Sequence, residues 1–265
     1  MTPEQTLHTY ARRYLIERSH KWTSEYWALA AEGRDRRGAD YTPEAYATFP
    51  RYNVLHAILL DVESLDFDQL PCSQELSELL IVAGQTATTV FAGNLPNATA
   101  QNAEQEERNL FVDAIRSAVA DGPPEQQPLH YRRTLSAQEV DELRGKLAAT
   151  WGITKSYWYP LDTKSHPSLV AFELAKIDEP ALQLEIKHFL RKNGVQRILE
   201  LREFGPENYC VQAGVEDLFY GTGGEGFWVS DTNDWIVYCS HEGTITLGGT
   251  ITTIAPGGPL GPDWS

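Results

Sequence analysis

A chain of 265 residues, 42% of them hydrophobic, is long enough to bury a core and to form one large domain or two small ones. Its formal charge of −15 argues against sequence-independent nucleic-acid binding, which needs a basic face. There is no apolar run of about eighteen residues and no basic-then-apolar leader at the N-terminus, which predicts a cytoplasmic protein without a membrane partner.

The first 121 residues read as a helical subdomain. Thr2, Pro3 and Gln5 form a helix start with a capping box, and Leu7, Tyr10, Ala11, Tyr14 and Leu15 follow at helical spacing. Arg34 to Gly38 reads as a polar loop whose three arginines are solvated. Thr42 and Pro43 repeat the helix-start pattern, and Val54, Leu55, Ile58, Leu59 and Val62 predict a helix from about Tyr52 to Ser64, with His56 packed in it. Ser73 is expected to cap a further helix with Leu76, Leu79, Leu80 and Ala83 on its inner face. Leu110, Phe111, Ala114, Ile115, Ala118 and Val119 predict the last helix of a four- or five-helix bundle.

The segment Asp121-Gly122-Pro123-Pro124-Glu125-Gln126-Gln127-Pro128 cannot support a regular element and marks a boundary. Residues 129–254 are predicted to form an α+β subdomain, and 255–265, rich in proline and glycine, a loose tail. Ser136 and Glu139 make a capping box opening a helix through Val140, Leu143, Leu147 and Trp151, which Gly152 ends. Leu169 to Leu174 suits a short strand, Pro180 to Asn193-Gly194 a helix, and Val195 to Phe204 a strand. Phe227–Ser230, Trp235–His241 and Thr244–Ile251, separated by Asp231-Thr232-Asn233-Asp234 and by Gly243, predict an antiparallel β-meander. The fold class is therefore α+β, an N-terminal helical bundle followed by a mixed region with that C-terminal meander.

Strand alternation puts Trp235, Val237, Cys239 and His241 on one face and Ile236, Tyr238, Ser240 and Glu242 on the other. A Cys239–His241 nucleophile is disfavoured, because residues two apart on a strand stand parallel and no cysteine-enzyme signature surrounds them. The cysteines Cys72, Cys210 and Cys239 are widely spaced and odd in number, so no disulfide framework or zinc site is expected. Glu225, Asp231, Asp234, His241 and Glu242 could gather at strand ends for acid–base work, but the spacings of known cation loops are missing. No metal and no cofactor are predicted. The glycines from Gly221 to Gly226 lack the lysine of a phosphate loop.

Charge is distributed unevenly. Arg202 is the last basic residue, and beyond it stand Glu203, Glu207, Glu216, Asp217, Glu225, Asp231, Asp234, Glu242 and Asp263. Such an end repels phosphates and attracts basic surfaces. Solubility alone is the plain alternative.

Four segments, Trp158-Tyr159-Pro160-Leu161, Leu199-x-x-Arg202-Glu203-Phe204-Gly205, Gly224-Glu225-Gly226-Phe227-Trp228 and Trp235-x-x-Tyr238-x-Ser240-His241-Glu242-Gly243, resemble a loosely defined set of uncharacterised bacterial proteins. The resemblance spans about Leu129 to Thr252 and implies a bacterial cytoplasmic protein, with no activity attached. In class and charge the chain is also similar to the immunity proteins of bacterial toxin systems. The leading expectation is an acidic binding protein, an immunity-type inhibitor. It would dock a basic partner such as a toxin through Glu225, Asp231, Asp234, Trp235, Tyr238, His241 and Glu242. The alternatives are a hydrolase-like enzyme using His241 with Glu242, Asp231 or Glu225, and a docking component of a defence or regulatory assembly.

Overall fold

A computed structural model describes residues 1–89, 97–158, 168–173, 179–203, 207–214, 225–240 and 242–255. The chain divides into two compact units, Met1–Leu129 and His130–Ser265. No helix among the described residues is long and apolar enough to cross a membrane.

The first unit contains α1 (Pro3–Ala31), a hairpin of β1 (Arg36–Arg37) and β2 (Asp40–Tyr41), α2 (Pro43–Glu63), α3 (Ser73–Thr86) and α4 (Ala98–Asp121). The Thr2–Gln5 capping box forms as the sequence predicts. The arginine loop is instead the small β1–β2 hairpin, with Gly38 at positive φ and Arg36 lying over the Tyr41 ring. The second helix starts at Pro43, well before Tyr52, and runs through Pro50. Pro50 has no N–H to donate, but Arg51 Nε donates to the Ala47 carbonyl at 2.8 Å in that turn, and burial of Phe49, Val54, Leu55 and Ile58 outweighs the break. Cys72, not Ser73, occupies the cap of α3, with no side-chain bond. Leu79, Leu110 and Val119 point outward, so the buried stripes of α3 and α4 are narrower than their sequence pattern.

Leu7, Ala11, Leu15, Val54, Leu55, Ile58, Leu76, Leu80, Phe111 and Ile115 make the core of this unit. Polar groups are buried within it. Glu107, with no exposed surface, accepts from Arg18, from Trp22 Nε1 at 3.0 Å and from Arg51 at 2.9 Å, which joins α4 to α1 and α2. Arg12 and Glu63 form a second buried pair at 2.7 Å. Beside them His8 Nε2 meets the Val62 carbonyl at 3.0 Å, and burial pushes the His8 pKa down to about 4, so the ring is neutral at pH 7.

The second unit contains β3 (Arg132–Thr134), α5 (Ala137–Trp151), β4 (Leu169–Glu173), α6 (Glu179–Lys192), β5 (Arg197–Arg202), β6 (Tyr209–Gln212), β7 (Gly226–Val229), β8 (Trp235–Ser240), β9 (Thr244–Gly249) and a 3-10 turn, Thr250–Ile254. Among the described residues β3 to β9 form one antiparallel sheet in the order β3-β6-β5-β7-β8-β9-β4. The β7–β8–β9 meander is its centre. Leu201, Phe227, Val229, Ile236 and Tyr238 pack with Leu143, Leu147 and Trp151 of α5 on one face. On the other face Trp235 meets Phe189 of α6 edge-on, with centroids 6.4 Å apart. All six residues of β8 are therefore buried. The Ser136–Glu139 box and the left-handed Gly152 cap delimit α5 as the sequence predicts.

Candidate acidic cleft at the β7–β8 turn

Residues 230–234 cross from β7 to β8, and their own side chains hold the turn. Asp234 Oδ1 accepts from Ser230 Oγ at 2.5 Å and from Thr232 Oγ1 at 2.6 Å, while the Asp234 N–H donates to Ser230 Oγ at 3.0 Å. Asp231 Oδ1 accepts the N–H of Thr232 at 2.8 Å. Burial works to raise the pKa of Asp234, but the hydroxyls of Ser230 and Thr232 outweigh it and the net shift is downward. Asp234 is thus a carboxylate at neutral pH.

Asn233 fastens this turn to the core. It sits at φ 58°, a left-handed conformation that asparagine tolerates better than most residues. Trp151 Nε1 donates to its Oδ1 at 3.0 Å, and its Nδ2 donates to the Lys146 carbonyl at 3.2 Å. Gly249 completes the anchorage: at φ 73° a side chain there would run into the Asp234 carbonyl and the Trp151 ring, so only glycine lets β9 pass this close. The Thr250 N–H then donates to the Asp234 carbonyl at 3.1 Å.

The turn forms one wall of a cleft of about 880 Å³. The opposite wall comes from the α6–β5 connection and the sheet edge: Asn193, Gln196, Arg197, Gln212 and Tyr131. Asn193 Nδ2 caps α6 through the Phe189 carbonyl at 2.9 Å, Gln212 Oε1 accepts the Tyr131 N–H at 3.3 Å, and the Arg197 guanidinium lies 3.7 Å from the Tyr131 ring centre. Phe189 and Trp235 also line the cleft.

The seven residues singled out in the sequence do not make one cluster. Asp231, Asp234 and Trp235 line the cleft. Glu225 and Glu242 lie at the other end of β8, which at roughly 3.3 Å per residue is about 20 Å away. There the Glu225 carbonyl accepts the Glu203 N–H at 3.1 Å, and the Glu242 N–H donates to Ser240 Oγ at 3.1 Å. Tyr238 is no surface anchor: it is buried, stacked on Phe227 at 4.6 Å, and its hydroxyl accepts the Trp158 N–H at 3.2 Å and donates to Glu203 Oε1 at 3.4 Å. Burial raises its pKa. Trp235 is 2% exposed, so it contributes an edge to the cleft and its body to the core. His241 lies outside the described residues, as do the glycines 221–224. Cys239 is buried and takes part in no disulfide. Among the described residues no three histidine, cysteine or acidic side chains converge as a metal site would require.

Sequence reasoning missed the far wall. Asn193 was legible as a helix stop, but nothing near it signals that Gln196 and Arg197 face the 230–234 turn; that follows from the β5–β7 pairing. No family model matches this chain, and neither a curated protein nor a solved structure shows significant similarity to it.

Proposed function

We propose that this is a partner-binding protein, an inhibitor of the immunity type, whose acidic C-terminal sheet docks a basic protein such as a toxin. One contrast supports the reading. Carboxylates up to Arg202 are repeatedly neutralised by arginine, as in Arg12–Glu63, Arg18–Glu107, Arg133–Glu139 and Arg202–Glu200. Among the described residues, Glu225, Asp231, Asp234 and Glu242 have no lysine or arginine partner. Carboxylates without a cationic partner at both ends of the sheet contribute to association rate and partner choice.

The test is capture by the tagged full-length chain from a lysate of its host, at about 0.05 M and about 0.5 M salt, against the variant carrying E225Q, D231N, D234N and E242Q. The expected result is a basic protein retained at low salt, released at high salt and absent from the variant. Retention of no protein, or retention indifferent to the four substitutions, rules the proposal out.

A further inference from the structure

We infer that the cleft at the β7–β8 turn seats an extended peptide segment of the partner, with one lysine or arginine side chain entering between Asp231 and Asp234. The inference rests on the docking function above and adds which part of the partner is recognised and where.

Three observations carry it. The cleft, at about 880 Å³, lies in the range of roughly 300–1,000 Å³ typical of ligand sites, far larger than a gap for water. Its walls differ in chemistry. The turn side offers two carboxylates; Asp234 accepts from Ser230, Thr232 and, at 3.5 Å, Thr250, and Asp231 Oδ1 from the Thr232 N–H, which leaves the remaining lone pairs, those of Asp231 above all, for a donor from outside. The opposite side offers the amides of Asn193, Gln196 and Gln212, each able both to donate and to accept, and one cation, Arg197, whose guanidinium lies against the Tyr131 ring at 3.7 Å rather than replacing the donor the carboxylates can take. A peptide backbone repeats one donor and one acceptor per residue and suits amides; its basic side chain suits the carboxylates. Finally, the acidic wall is immobilised. Asn233, Trp151 and Gly249 fix the turn before anything binds, so little ordering cost falls on association. An anionic ligand would face Asp231 and Asp234, and is disfavoured.

The probe is a capped pentapeptide of glycines around a central arginine, with the same peptide carrying neutral citrulline as its control, titrated into the isotope-labelled full-length protein. The arginine peptide is expected to shift the amide resonances of residues 193–197, 212 and 230–235. Citrulline, or the D231N/D234N protein, is expected to weaken binding by about tenfold, the scale of one charge-assisted hydrogen bond. A cleft-filling Q196W variant, at an exposed position, is expected to abolish it. Equal binding of the two peptides, shifts confined to other residues, or no binding overturns the inference. Partner capture separates this from the docking function: if Q196W still retains a partner that the four-carboxylate variant loses, docking stands and the peptide cleft does not.

Discussion

Asn233 fastens the turn that carries Asp231 and Asp234. Asn233→Ala removes one buried and one part-buried hydrogen bond, takes this acceptor from Trp151 Nε1, and puts alanine at a positive φ that asparagine tolerates better. At about 1 kcal/mol for each hydrogen bond and roughly 1 kcal/mol for the left-handed backbone, the loss is about 3 kcal/mol. Asn233→Gly keeps the backbone free and is expected to lose about 2 kcal/mol. Urea unfolding should therefore order the proteins wild type, glycine variant, alanine variant. An alanine variant as stable as wild type would show that Asn233 does not hold the turn. Asp231 and Asp234 were legible in the sequence as turn residues because asparagine and aspartate are what a short strand reversal uses. The binding role proposed for them was not, since the same chemistry serves a turn with no ligand.

At the scale of elements, local signals and long-range ones part company. The capping boxes at Thr2 and Ser136 and the punctuation around β7, β8 and β9 act over a few residues, so the sequence displays them. β3 and β6 are only three and four residues long, too short for an alternation to register, and they exist because each is paired with a neighbouring strand. The early part of α2 was hidden by Pro50, whose local penalty the surrounding burial overrides. The joint between α1, α2 and α4 was invisible for a related reason: nothing local marks Glu107 as buried, yet it is the common acceptor for Arg18, Trp22 and Arg51. Removing Glu107 takes one acceptor from Trp22 Nε1 and from the partly buried Arg18 and Arg51 guanidiniums, which at about 1 kcal/mol each costs about 3 kcal/mol. Glu107→Ala is accordingly expected to lower the unfolding free energy by that amount, while the exposed Glu106→Ala, which also loses an arginine contact, changes it by less than about 1 kcal/mol. Similar effects from the two substitutions would mean that Glu107 joins the helices no more strongly than a surface ion pair does.

Across the whole molecule, charge has two consequences of opposite sign. With 37 acidic residues against 22 lysines and arginines, the folded chain repels itself, and the same field would draw in the basic partner proposed above. At about 0.01 M salt the screening length is roughly 30 Å, comparable to a domain; at about 0.1 M it is roughly 10 Å. Raising salt between these values removes repulsion between distant carboxylates. It acts much less on Arg12–Glu63, a pair 2.7 Å apart with almost no exposed surface. The melting temperature of the free protein is therefore expected to rise, by about 2–4 °C if the relief is about 1 kcal/mol. Partner retention should weaken over the same interval, because screening reaches attraction across an interface as it reaches repulsion within the chain. Scanning calorimetry and capture in matched buffers measure the two together. A melting temperature that falls with salt would place the dominant electrostatic term in exposed ion pairs that stabilise the fold. The excess of carboxylates would then be a feature of stability, and the uncompensated acids beyond Arg202 would lose their standing as a binding surface.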